Sequence, residues 1–248
     1  MQIIVAGQVV DYSDEGKGPV LLMVHGWRDQ KTTWQPLIKA LKTDFRCVAI
    51  DLPNFGASSD NESVVDLAGF ANALAQFVEK ISLKDYILVG HSMGGQIGIY
   101  AVGQGILHPK KLILIASAGV RDDSASKRKV LKAGAVVFRR FIPTAAKKKL
   151  YQAIGSDYDP SLKPTHKAII DAVLSADVQH EAALIQAPTL LVYGSKDTST
   201  PPKHGQVFHK LIMGSRYTEI LGGDHWIHQK AATEIAEAMK AFIKGETQ

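Results

Sequence analysis

The stretch YILVGHSMGGQ, residues 86 to 96, decides the fold. An apolar run stops at Gly90, a serine stands two residues later, and Gly94 and Gly95 follow. A strand that turns at once into a helix forces its turn residue into a strained backbone conformation, tolerable only if the neighbours have almost no side chain. Ser92 is therefore expected at a sharp turn, with its hydroxyl presented as a nucleophile. The pentapeptide Gly90-His91-Ser92-Met93-Gly94 fits G-x-S-x-G, a short pattern that gains meaning only from strand, helix and partner residues around it.

Strand and helix are both there. Apolar runs bounded by turn signals recur as PVLLMVHG (19 to 26), FRCVAIDLP (45 to 53), YILVGHS (86 to 92), KLILIAS (111 to 117) and PTLLVYG (188 to 194). Continuous apolarity, rather than alternation, suits strands covered on both faces in a parallel sheet. Helical stretches lie between them, at 32 to 42, 64 to 81 and 93 to 106, and an amphipathic helix closes the chain at 230 to 245. Strand alternating with helix implies a doubly wound α/β sheet. The opening IIVAGQVVDYSDEG reads as an antiparallel edge hairpin, with Asp-Glu-Gly at a turn. From about Gly119 to Gln186 the alternation stops and helical stretches take over. Residues 1 to 118 and 187 to 248 are thus expected to form the core, with 119 to 186 as a helical lid over the C-terminal sheet edge, where such sheets bind ligands.

Composition narrows the function classes. A chain of 248 residues, 46% hydrophobic and 21% charged, can build one large domain and needs no staples. It holds no apolar run of about 18 residues and opens without a secretory pattern, so a cytoplasmic location is expected. The one cysteine, Cys47, lies in an apolar run and is read as core, which sets aside disulfide and thiolate-metal chemistry. The net charge of +5 is concentrated: Arg121 to Lys149 holds ten Lys or Arg against two acids, leaving 19 basic and 22 acidic residues elsewhere. A solvated helix face is the plain reading of that cluster. The functional one is an acidic carrier protein or an anionic membrane surface as partner; nucleic acid is not expected, because no recognition motif is present.

A serine hydroxyl is a poor nucleophile at neutral pH and needs a base, an orienting carboxylate and donors for a developing oxyanion. After PTLLVYG comes SKDTSTPP, which puts Asp197 just beyond a strand end; after RYTEIL comes GGDHWIH, which puts His225 on the loop before the last helix. With HGW (25 to 27), DLPNFGASS (51 to 59) and GHSMGG, these five segments in order make the chain resemble the α/β-hydrolase fold family from about residue 18 to its end, the lid matching least. The resemblance implies a mostly parallel sheet with an inserted helical lid and a triad of Ser92, Asp197 and His225, found in that chain order. It implies an oxyanion hole built from the backbone N–H groups of Trp27 and Met93, and it requires no metal or organic cofactor. Competing acids are Asp224 and, after KLILIAS, Asp122 or Asp123; His228 competes with His225. His25 is expected to brace the oxyanion turn and border the substrate pocket with Trp226, and Trp27 and Trp226 are expected to touch substrate. Asp51 reads as a turn-former, and Asn54, where the family usually has Gly, as a left-handed turn residue.

Serine at this position argues against epoxide hydrolases and haloalkane dehalogenases, whose nucleophile there is Asp. Carboxylic-ester hydrolysis through an acyl-enzyme leads. Hydrolysis of carbon–carbon bonds, of lactones or of methyl esters carried on acyl carrier protein uses the same triad, and a non-turnover ligand receptor on this fold is the rival from another class.

Overall fold

A computed structural model of the chain describes residues 1 to 121 and 162 to 245. Among them eight strands form one sheet: β1 (Gln2–Val5), β2 (Gln8–Glu15), β3 (Val20–Val24), β4 (Arg46–Ile50), β5 (Tyr86–His91), β6 (Lys111–Ile115), β7 (Thr189–Gly194) and β8 (Arg216–Ile220). Their spatial order is β1-β2-β4-β3-β5-β6-β7-β8, with β1 and β2 antiparallel at one edge and the other six parallel. The chain leaves β3 to one side for β4 and returns to its other side as β5. The C-terminal ends of β3 and β5 therefore flank the switch point at which open sheets form a crevice.

The apolar runs are continuous because both faces of the sheet are covered. Along β3, Leu22 and Val24 pack into one core while Leu21 and Met23 pack into the other; Leu88 is set against Ile87 and Val89 on β5 in the same way. One face carries α2 (Leu67–Lys80) and α3 (Met93–Gly103), the other α1 (Gln35–Leu41) and the closing helix. Cys47 is fully buried, and burial pushes its thiol up to about 12, as befits a core residue. The stretch 32 to 42 divides into a 3-10 turn, Lys31–Trp34, and α1, which has proline in its first turn. The opening hairpin turns at Ala6-Gly7, both left-handed, whereas Asp-Glu-Gly ends β2 and leads into the next turn at Gly16.

Between β6 and β7 the described residues include α4 (Pro164–Ser175) and α5 (Gln179–Leu184). The Gln96 side chain on α3 donates to the carbonyls of Val173 and Ala176, tying α4 to the main helix layer. On α4, His166 Nε2–H donates to the Asn54 carbonyl at 2.8 Å and the ring stacks on Phe55, so this helix sits at the C-terminal edge of the sheet. Most of the expected lid, residues 122 to 161, and with it all of the basic cluster except Arg121, lies outside the described residues. Two short helices, α6 (Pro202–Leu211) and α7 (Ile227–Lys230), precede the last, α8 (Ala232–Lys244), which stops at Gly245 in the left-handed conformation. No helix among the described residues is long and apolar enough to cross a membrane.

Candidate active site

Ser92 has φ 51 and ψ −115, the strained turn expected between β5 and α3. Glycine is needed around it because backbones meet there. A Cβ on Gly90 would come within 2.6 Å of the Gly94 carbonyl, and one on Gly94 would run into the carbonyls of Val24 and His25. The Ser92 backbone is held by its N–H donating to Ile115 and its carbonyl accepting from Gln96 and Ala118.

The side chains expected from loops far apart in sequence converge on that hydroxyl. Ser92 Oγ donates to His225 Nε2 at 3.0 Å, and His225 Nδ1–H donates to Asp197 Oδ2 at 2.8 Å. The Asp197 side chain is sealed from solvent while that of His225 is 15% exposed, so the imidazole reaches the surface and the carboxylate does not. Burial alone would raise the Asp197 carboxyl. The His225 hydrogen bond and charge, with the N–H and hydroxyl of Thr200, outweigh it and hold the group below the ordinary carboxylate range. Its Oδ1 takes the N–H groups of Ser199 and Thr200, an Asx turn that aims Oδ2 at the imidazole. Asp224 is turned elsewhere, accepting from the Trp226 N–H and pairing with Lys230, and Asp122 and Asp123 lie outside the described residues. His228 is wholly buried and held neutral, pushed down to about 3 by burial and the nearby His225.

A family model described as the Alpha/beta hydrolase family matches residues 21–238. The chain belongs to the alpha/beta hydrolase family. It is 26% identical to pyrrolizixenacetamide deacetylase of Xenorhabdus hominickii, over 96% of this chain and 95% of that protein. It is 28% identical to pimeloyl-[acyl-carrier protein] methyl ester esterase of Vibrio parahaemolyticus, over 76% of this chain and 80% of the other. The crystal structure of a bromoperoxidase from Bacillus anthracis shares the fold, with a TM-score of 0.79 at 21% identity over 98% of this chain and 100% of that one.

Within this alpha/beta hydrolase, the residues expected around Ser92 divide into those at the crevice and those beneath it. Among the described residues, the backbone N–H groups of Trp27 and Met93 donate to no protein acceptor, and Met93 opens α3, where such donors are free by construction. His25 is corrected: it braces the turn but does not border a pocket. It is 0% exposed, its Nδ1–H donates to the Gly26 carbonyl at 2.8 Å and its Nε2 accepts the Leu52 N–H at 3.0 Å. Burial pushes it down to about 4, so it is neutral. Trp226 is 39% exposed and packs edge-on to His225; Trp27 is half-buried between Phe55 and His166. Beside Trp27 runs a groove of about 520 Å³, lined by Arg28, Asn54, Phe55, Ser58, Lys163 and His166 among others.

Asp51 is a turn-former, its buried carboxylate accepting from the N–H groups of Lys31 and Ala57 and pairing with the Lys31 ammonium. Asn54 takes φ 73, and its side chain bonds Asn61 and Val64. Asp29, His91 and His228 each offer an atom with ligating chemistry within 4.8 Å of the others. His91 Nε2 is committed to the His225 carbonyl, whereas His91 Nδ1, Asp29 Oδ2 and His228 Nδ1 are buried without a hydrogen-bond partner among the described residues.

Thr200 is a residue that the sequence did not single out. Its hydroxyl stands 2.8 Å from Asp197 Oδ2, 2.9 Å from the Ala116 carbonyl and 3.1 Å from His225 Nδ1. A hydroxylated residue three positions after a candidate acid is the signal that could have exposed it. Thr200→Val keeps the shape and the N–H to Asp197 but removes that hydroxyl. It is expected to lower kcat about three- to tenfold at unchanged KM, in line with roughly 1 kcal/mol for one hydrogen bond; an unchanged kcat would make the hydroxyl a packing detail.

Proposed function

We propose that the chain is a serine hydrolase that cleaves a carboxylic ester through an acyl-enzyme. The observation that carries this reading is the continuous chain from Ser92 Oγ through His225 to the sealed carboxylate of Asp197, set on a strained turn. In this reading Ser92 Oγ attacks the ester carbonyl while His225 Nε2 takes its proton. Asp197 fixes the tautomer that leaves Nε2 free to accept, and stabilises the imidazolium. The N–H groups of Trp27 and Met93 receive the oxyanion; one such donor is typically worth about 3 kcal/mol. His225 then protonates the leaving alcohol, and a water activated by the same imidazole releases the acid. Relatives named for deacetylation and for methyl-ester hydrolysis support acyl chemistry.

The second reading, an acyl group delivered on an acidic carrier, is favoured by the basic cluster between Arg121 and Lys149 and by the relative named for a carrier-bound methyl ester. One panel separates the readings: p-nitrophenyl esters of two to twelve carbons, a lactone, a carbon–carbon hydrolase substrate, and a methyl ester on acyl carrier protein at low and high salt. Repeated turnover of simple esters is expected. Preference for the carrier ester that fades between 0.1 M and 1 M salt, as the Debye length falls from about 10 Å to about 3 Å, would establish the second reading. At most one slow turnover on every substrate would make the chain a receptor.

A further inference from the structure

The residue before the nucleophile does work that the triad leaves unassigned. His91 is 1% exposed, yet its Nε2–H donates to the backbone carbonyl of His225 at 2.9 Å, across 134 positions of sequence. The opposite side of the ring lies against the segment that carries the Trp27 N–H: a Cβ built on Gly26 would stand 3.0 Å from His91 Nδ1 and 3.2 Å from Ser92 Cβ. Four rings close around the imidazole, with centroids at 3.9 Å for His228, 4.9 Å for His225, 5.7 Å for Trp226 and 6.4 Å for Trp34. One side chain thus touches the segment after β3, the nucleophile's own turn and the loop of the base.

We infer that His91 is a positioning residue for the reaction, its Nε2–H setting the distance at which His225 stands from Ser92. The inference rests on the reading of Ser92 and His225 as nucleophile and base. The physical reason is the contrast between a rigid strand and a loop. His91 ends β5, which is hydrogen-bonded on both sides to β3 and β6. His225 lies on a loop between β8 and α7 whose ties to the end of β7 fall two and three residues earlier, where the Gly223 carbonyl accepts the Lys196 N–H and the Gly222 N–H donates to Ser195 Oγ; His91 supplies the tie at the His225 carbonyl itself. A buried hydrogen bond from strand to loop transfers the strand's precision to the imidazole. His91 and His225 do not exchange protons in this arrangement, since the bond ends on a main-chain oxygen.

The test uses the full chain and a fluorophosphonate reporter, in which Ser92 Oγ bonds phosphorus, fluoride leaves and the hydroxyl proton passes to His225. Its maximal labelling rate and half-saturating concentration separate chemistry from binding. His91→Phe keeps a ring and loses the donor; His91→Gln loses the ring but can place an N–H at similar reach. The Phe variant is expected to label about ten- to hundredfold more slowly at unchanged half-saturation, the usual penalty for displacement on the ångström scale. The Gln variant is expected within about fivefold of wild type, on the same principle of restored geometry. A rate for Phe within twofold of wild type, or equal slowing by Phe and Gln, would overturn the inference. If Phe does not fold, as judged by thermal melting, His91→Met carries the same comparison. Wild-type chain that is not labelled at Ser92 would overturn the serine-hydrolase reading and the inference with it, an outcome distinct from intact labelling in every His91 variant.

Discussion

Ser92→Ala is expected to abolish ester turnover by about a thousandfold or more while leaving the fold unchanged. The partner found for its hydroxyl is His225, and Ala116, at φ 47, shows that alanine occupies a positive-φ position elsewhere in this chain. His225→Ala should cost about as much, and the double variant little more, because nucleophile and base act as one unit. Asp197→Asn is informative as a third member. Asp197 Oδ1 accepts two backbone N–H groups, so an asparagine would keep its oxygen there and turn its NH2 toward His225 Nδ1. That would hold the imidazole proton on Nε2, where it cannot accept from Ser92. A loss of about ten-thousandfold is then expected, the size seen when an orienting aspartate is replaced in a serine-protease triad. Steady-state rates, with melting curves to verify folding, check all four chains; more than about a tenth of wild-type activity in Ser92→Ala would sink the mechanism.

The second large effect is on stability, between pH 7.5 and 5. His25, His91 and His228 are all buried and held neutral, His25 down to about 4 and His228 to about 3, both chiefly by loss of hydration; burial also puts His91 well below the usual imidazole range. In the unfolded chain each titrates at about 6.5. Below that pH the unfolded state binds protons that the folded state refuses, so stability is fully present above it and falls as the pH drops toward the folded values. Each of His25 and His228 removes about 1.4 kcal/mol per pH unit, or about 2 kcal/mol by pH 5 and about 4 kcal/mol for the two, and His91 acts in the same direction. That is a large part of the whole stability of a typical domain, about 5 to 15 kcal/mol. Asp197 acts in another window: its lowered carboxyl contributes stability above about pH 4 that is lost only in stronger acid. Urea unfolding at pH 7.5 and 5.0 should give free energies that differ by about 4 kcal/mol or more, and His228→Phe should remove about 2 kcal/mol of the difference. Equal midpoints and slopes at the two pH values would contradict neutral burial of these rings.

Much of this protein was legible before any coordinates. The continuous apolar runs reported a sheet covered on both faces because burial demands apolar side chains on each, and that demand is local. The glycines around Ser92 reported backbone crowding for the same local reason, and Asn54 announced its left-handed turn. Ser92, Asp197 and His225 could be chosen because each follows a strand end, and parallel strands deliver their C-terminal ends to one edge. What needed the tertiary structure was the fate of side chains whose partners are far away in sequence. His25 was expected to brace the turn and also to border the pocket; burial, with both its nitrogens on the backbone, one of them at Leu52, leaves it only the first. His91 looked like a variable position of a motif until its ring was found against Gly26 and the His225 carbonyl. The hydroxyl of Thr200 became part of the site only through Ala116, Asp197 and His225 together. Spacing in sequence determines which residues reach the sheet edge, but burial and hydrogen-bond partners are properties of the packed chain, and they decide whether a histidine there faces the crevice or is locked beneath it.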